Sequence, residues 1–188
     1  MTIVAPIIET ERLRLRPYAL TDLEDLADIR RRPDVMRYLY QDIQSPEEVA
    51  AVLHQRATAQ TALRGEGDTL VLAVELTNTG RVIGDVSMRW TSERHQQGDI
   101  GFIFHPDYHG KGYAHEAARE MLRLGFVGVG FHRIEGRCDA RNDASARLME
   151  RLGMRREAHL IENERFKGEW GSELVYAILD REWRARQG

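Results

Sequence analysis

From residue 11 to residue 17 the chain alternates Arg12, Arg14 and Arg16 with Leu13 and Leu15, the period of a half-buried strand that Pro17 ends. Thr21 followed by Glu24 predicts a capping box, and the helix it opens must end before Pro33, whose ring disfavours helical geometry in the preceding residue. Ser45, Pro46 and Glu48 repeat this signal with proline at the first helical position, predicting a second helix to about Arg64. GEGD then makes a turn. TLVLAVEL and RVIGDVSMRW flank Asn78, Thr79 and Gly80 and predict two strands in a tight hairpin.

DIGFIFHP, from Asp99 to Pro106, is a short apolar run that predicts a covered central strand. After it the period becomes helical, with Ala114, Ala117, Ala118, Met121 and Leu122 opposite Glu116, Arg119, Glu120 and Arg123. HRIEGRCD from His132 predicts another strand, Asn142 caps a helix through Leu152, and Gly153 ends it. Two last strands fall around Arg155 to Ile161 and Glu173 to Leu179, with a KGEWG turn between them. No linker divides residues 1–188, so the expectation is one α/β (α+β) domain.

The formal charge of −3 and a pI near 6.2 provide no basic surface for nucleic acid or membrane, and favour a small neutral or cationic substrate. Cys138 is the single cysteine, which excludes an internal disulfide and points to a reducing, cytoplasmic setting. No apolar run approaches the ~20 residues that span a bilayer.

The chemistry concentrates at Gly110, Lys111 and Gly112. A strand entering a helix through close glycines leaves backbone N–H groups free at the positive end of the helix dipole. Glycine also removes the Cβ atoms that would hold a pyrophosphate away, and Lys111 can add charge; a plain surface turn is the competing reading of the same residues. A P-loop is excluded, since Lys111 precedes Gly112 and Tyr113 follows it. A dinucleotide fingerprint is excluded too, because His115 stands where its third glycine belongs.

The run His109, Gly110, Lys111, Gly112, Tyr113, Ala114 resembles motif A of the GNAT superfamily of N-acetyltransferases, with His109 in place of the usual Gln or Arg. The resemblance extends through TERLRLRPYALTDLEDL, IGFIFHPDYHGKGYAHEA, HRIEGRCDARNDASARLMERLGMRRE and LVYAILDREW, and is similar to the branch holding the Rim-type ribosomal-protein N-terminal acetyltransferases. It implies a mixed sheet of about seven strands, splayed at the cofactor site, with about four helices. It implies acetyl-CoA as cosubstrate, a primary amine as acceptor, direct transfer, no metal, and a homodimer. Cofactor contacts would come from Phe102, Ile103 and Phe104, from the turn 109–114, and from Asn142 and Ser145.

Relatives often carry an acidic tyrosine where this chain has Met149, so the resemblance passes the role of proton donor to the thiolate to Ser145; a structural serine in a first helical turn is the alternative. It places a general base at Glu164, in a loop before the final strand, with Asp99 as second candidate. The loop at 162–171 and the first two helices would form the acceptor side, with Trp90, Trp170 and Tyr40 as candidate lining. His105, His109 and His115 lack a metal-site spacing, and Cys138 reads as a small buried side chain. A CoA-binding regulatory or structural module without catalysis is the alternative function.

Overall fold

The computed structural model describes residues 2–39 and 41–187, without the Phe166 side chain. Tyr40, a candidate for the acceptor wall, lies outside the described residues. The chain runs β1 (Ile3–Val4), β2 (Ile8–Glu9), β3 (Leu13–Arg16), α1 (Leu23–Arg30), α2 (Pro33–Met36), α3 (Pro46–Thr58), β4 (Ala62–Leu63), β5 (Thr69–Leu76) and β6 (Val82–Ser92). It continues through β7 (Gln97–Phe104), α4 (Tyr113–Arg123), β8 (Arg133–Asp139), α5 (Asp143–Arg151), β9 (Arg155–Phe166), β10 (Glu169–Leu179) and α6 (Asp180–Ala185).

The main sheet has eight strands in the order β2-β3-β5-β6-β7-β8-β10-β9, antiparallel except where β7 meets β8. This is the expected mixed sheet with one strand more, because the short β2 adds to its edge. The extra helices are similarly short: α2 is a four-residue turn behind Pro33, and α6 closes the C-terminal end.

Leu13 and Leu15 are fully buried, as the alternation requires, and Arg16 between them and Pro17 bridges Glu75 and Asp22. The first helix begins differently from expectation. Its N-cap is Asp22, whose carboxylate instead accepts the Ala19 N–H at 2.8 Å, so the Thr21 and Glu24 box does not form. The Ser45 box does form: Ser45 Oγ accepts from Glu48 N–H, and Glu48 returns to Ser45 N–H at 2.7 Å. That helix ends at Thr58, not near Arg64, because Ala62 and Leu63 pair with Val4 and Ile3.

The second correction lies at the C-terminal hairpin. Strands β9 and β10 extend to Phe166 and Glu169, and Lys167 and Gly168 make the turn with positive φ, so 162–171 is mostly strand instead of loop. Backbone pairing continues because Glu164 stands opposite Gly171, a register that the polar sequence did not disclose.

The core lies between the sheet and α4 with α5, where Ala117, Ala118, Met121 and Met149 are fully buried. A smaller cluster under α1 and α3 covers the opposite face at Val71, Ala73 and Val82. No helix among the described residues is long and apolar enough to cross a membrane.

Candidate functional site

Strands β7 and β8 run side by side for three residues only, Gln97 to Asp99 against Arg133 to Glu135. Beyond them β8 follows β10, with Gly136 to Asp139 opposite Tyr176 to Glu173, while β7 stays with β6 through Phe104. The two central strands therefore part, and the gap exposes one edge of β7.

Which atoms face the gap follows from the β6 to β7 ladder. His105 N–H donates to Ile83 C=O at 2.9 Å, and an antiparallel ladder alternates bonded and unbonded pairs. Gly101 and Ile103 thus direct their backbone groups to β6, whereas Phe102 and Phe104 direct theirs into the gap. The Phe104 carbonyl is taken there by His109 Nε2 at 3.1 Å. His109, which stands where the resembling motif has Gln or Arg, is thereby turned back onto the strand.

The strand leads through a short 3₁₀ turn, Pro106–Tyr108, into the glycine turn. Gly110 and Gly112 have φ of 74° and 85°, a left-handed region that a side chain rarely adopts, and Gly112 caps α4. Among the described residues no acceptor meets the N–H groups of residues 110–115, and the first outside bond of the helix is Glu116 N–H to Gly112 C=O. Six donors near the positive end of a three-turn helix are an arrangement that can receive an anion, a candidate cradle. Lys111 Nζ donates to the Asp107 carbonyl at 3.0 Å and lies over the Tyr108 ring, so its charge is beside the cradle.

A cavity of about 820 Å³ joins this turn to the gap, lined by Phe102, Ile103, Phe104, residues of the turn, Asn142 and Ser145 among others. A second, of about 320 Å³, opens on the other side of β7 and is lined by Arg56, Asp85, Gly101, Cys138 and Asp139. The two share Tyr38, Leu39, Phe102, Ile103, Asn142 and Ser145. Two reactants entering from opposite sides would meet at this junction.

Asn142 caps α5 by accepting Ser145 N–H at 3.1 Å, which spends its side chain on the helix but fixes Ser145 in the first turn at the junction. Asp99 and Glu164 line neither cavity. Asp99 lies where β7 and β8 still pair, and burial pushes its carboxyl up to about 6 against the pull of Arg137. Asp139 does line the second cavity, but hydrogen bonds from Arg141 at 2.8 and 2.9 Å hold its carboxyl below the usual range. Cys138 borders the same cavity with its thiol pushed by burial to about 12, which keeps it protonated near neutrality.

Trp90 and Trp170 stand outside both walls. Trp90 is buried edge-on against Phe131, and Trp170 is exposed with Arg165 over its ring. Residues that the sequence did not single out take their place: Tyr38 and Leu39 reach the site from the turn after α2, and Arg56 from α3. Their polar surroundings gave no periodic signal.

Residues 12–155 match the family model described as the acetyltransferase (GNAT) domain. The uncharacterized N-acetyltransferase YnaD of Bacillus subtilis is 31% identical over 177 residues, covering 94% of this chain and 98% of its own. A GNAT-family acetyltransferase structure from Bacillus anthracis superposes with a TM-score of 0.84 at 30% identity, over 94% of this chain and 99% of that one. The spermidine N-acetyltransferase of Vibrio cholerae, solved in complex with CoA and spermine, shares the fold with a TM-score of 0.76 at 21% identity, over 93% and 99%.

Proposed function

This chain belongs to the GNAT acetyltransferase family, and within it we propose that it moves the acetyl group of acetyl-CoA onto a primary amine by direct attack on the thioester. The acceptor is a protein N-terminal α-amine, as in the Rim-type branch, or a small-molecule amine. The single observation that carries this is the junction: a cavity from an anion cradle and a cavity from the opposite side of β7 share Phe102 and Ser145.

The pyrophosphate of acetyl-CoA would take the free N–H groups of residues 110–115, and the pantetheine arm would pair with the Phe102 edge in place of the missing strand. The amine nitrogen attacks the thioester carbonyl carbon, and a main-chain N–H at the open edge of β7 stabilises the oxygen that becomes negative. The C–S bond then breaks, the amide forms, and the sulfur leaves as a thiolate that takes a proton from Ser145 or from water relayed by it. The amine must lose a proton. Since Glu164 and Asp99 are outside the cavity walls, either would receive it through water.

Thiol release from acetyl-CoA, measured against a panel of peptides with free N-termini and of small amines, tests the reading. Amine-dependent release of free CoA with a matching acetylated product is expected. CoA binding with no turnover on any amine would instead favour a binding module.

A further inference from the structure

Beneath the second cavity the buried charges do not cancel. Arg56 and Asp85, only 7% and 2% exposed, form an ion pair through Nη1 and Oδ2, and Tyr18 O–H donates to the same oxygen at 3.0 Å. Arg30, 4% exposed, is a second guanidinium in this cluster, and among the described residues no carboxylate pairs with it. It donates to Gln41 Oε1 at 3.0 Å and leaves its Nε unpaired. Burial, and then repulsion by Arg56, lower its hold on its proton. Two buried cations therefore share one buried carboxylate, and an excess positive charge stands behind the wall.

Arg56 is also part of that wall. Among the described residues only its Nη1 has a protein partner, and neither Nε nor Nη2 has one. The other ionised groups of the wall are committed, Asp139 to Arg141 and Arg137 to Glu173 and Glu135. Thr69, Ser87 and Gln60 add neutral hydrogen-bonding groups. A second ammonium on an acceptor would meet an arginine and carboxylates already taken. An anionic group would meet two free N–H donors and a compensating field, and the arginine fork matches a carboxylate.

We propose that the acceptor is an amine that also carries a carboxylate, its nitrogen at the junction by Phe102 and Ser145 and its carboxylate on Arg56. This rests on the N-acetyltransferase reading above. Asp85 stands opposite Ile103 across the β6 to β7 ladder, so the arginine cluster is at least one strand spacing, roughly 5 Å, from the open edge of β7. That offset selects amino acids with several bonds between nitrogen and carboxylate over α-amino acids.

The test is thiol release from acetyl-CoA with three series of matched chain length: ω-amino acids, simple alkylamines and diamines. The expected kcat/KM is roughly tenfold or more in favour of the ω-amino acids over alkylamines, carried by KM, with diamines lowest. Arg56→Lys, which keeps charge but loses the fork, should bring the ratio of ω-amino acid to alkylamine close to one. Arg56→Gln combined with Asp85→Asn, which leaves neither partner of the pair as a lone ion, should do the same if the lysine variant folds poorly. Diamines or alkylamines equalling the ω-amino acids, or a selectivity ratio unmoved in both variants, would overturn the carboxylate inference alone. Release from no amine would overturn the acetyltransferase reading and this inference together.

Discussion

Arg12 grips Glu116 with two nitrogens on one carboxylate oxygen, Nε at 2.8 Å and Nη2 at 2.6 Å, while its Nη1 donates to the Lys111 carbonyl at 3.0 Å. Thr10 Oγ1 donates to the other oxygen of Glu116 at 2.7 Å, and the Arg12 guanidinium lies over the Tyr113 ring. The residues just ahead of β3 and its entry thus clamp the first turn of α4 and the glycine turn before it. The clamp also places a cation against the only acidic side chain in the first turn of α4, beside a site for an anion.

Arg12→Ala should loosen the turn without unfolding the protein, because the side chain is 43% exposed and exposed ion pairs contribute little to stability. The KM for acetyl-CoA is expected to rise roughly 3- to 10-fold, through misplacement of the cradle, with a smaller change in kcat. Equal KM values in steady-state kinetics would show that the clamp has no part in cofactor binding.

Gly112→Val puts a β-branched side chain at a φ of 85°, with a Cβ only 3.3 Å from Arg12 Nη2. Backbone strain of about 1–3 kcal/mol and an obstructed cradle should weaken CoA at least tenfold by calorimetry. Gly110→Ala separates the two causes, since its Cβ meets open space and only the φ of 74° opposes it. CoA affinity unchanged in Gly112→Val would remove the pyrophosphate assignment.

Ser145→Ala should leave the fold intact, because the cap bond to Asn142 uses the Ser145 backbone N–H. If the hydroxyl delivers the proton to the thiolate, kcat falls by roughly 10²-fold while the KM for acetyl-CoA holds. Stopped-time product assays check this, and an unchanged kcat would make Ser145 a structural residue. Asn142→Ala instead should lower stability by about 1 kcal/mol through loss of the cap.

Asp99 carries a pH signature. Its carboxyl is raised from 3.8 to about 6 in the folded protein by burial, so the folded state holds the proton more tightly than the unfolded chain. Its contribution is fully present below pH 3.8, fades as the pH rises toward 6, and is gone above that range. Asp99→Asn should therefore match the parent at low pH and exceed it above pH 6 by on the order of 3 kcal/mol. Denaturant melts at pH 4 and pH 7 test this; an advantage that does not grow with pH would refute it.

Local signals that need few partners were legible in the chain. Leu13 and Leu15 declared their strand by alternation, Ser45 and Glu48 declared a helix start by reciprocal capping, and Gly112 declared a turn by lacking a Cβ. Thr21 was misleading because Asp22, one residue on, holds the Ala19 N–H and the Arg16 guanidinium, a tertiary contact that outcompetes the local box. Glu164 was misplaced for a related reason: strand pairing with Gly171 organises a polar segment with little alternation of its own.

By itself, then, the sequence determined the strand, glycine turn and helix that build the proposed anion cradle, because backbone conformation and capping depend on neighbours a few residues apart. The resemblance of its motifs determined the family. Only the tertiary structure decided where β7 and β8 part, that Phe102 and Ser145 join two cavities, and that Arg56 from a distant helix forms the second wall. Those relations depend on register between strands and on buried charges held by residues far apart in the chain, Arg56 with Asp85 and Arg12 with Glu116. Spacing along the sequence does not encode such distances, and it is packing that brings these groups together.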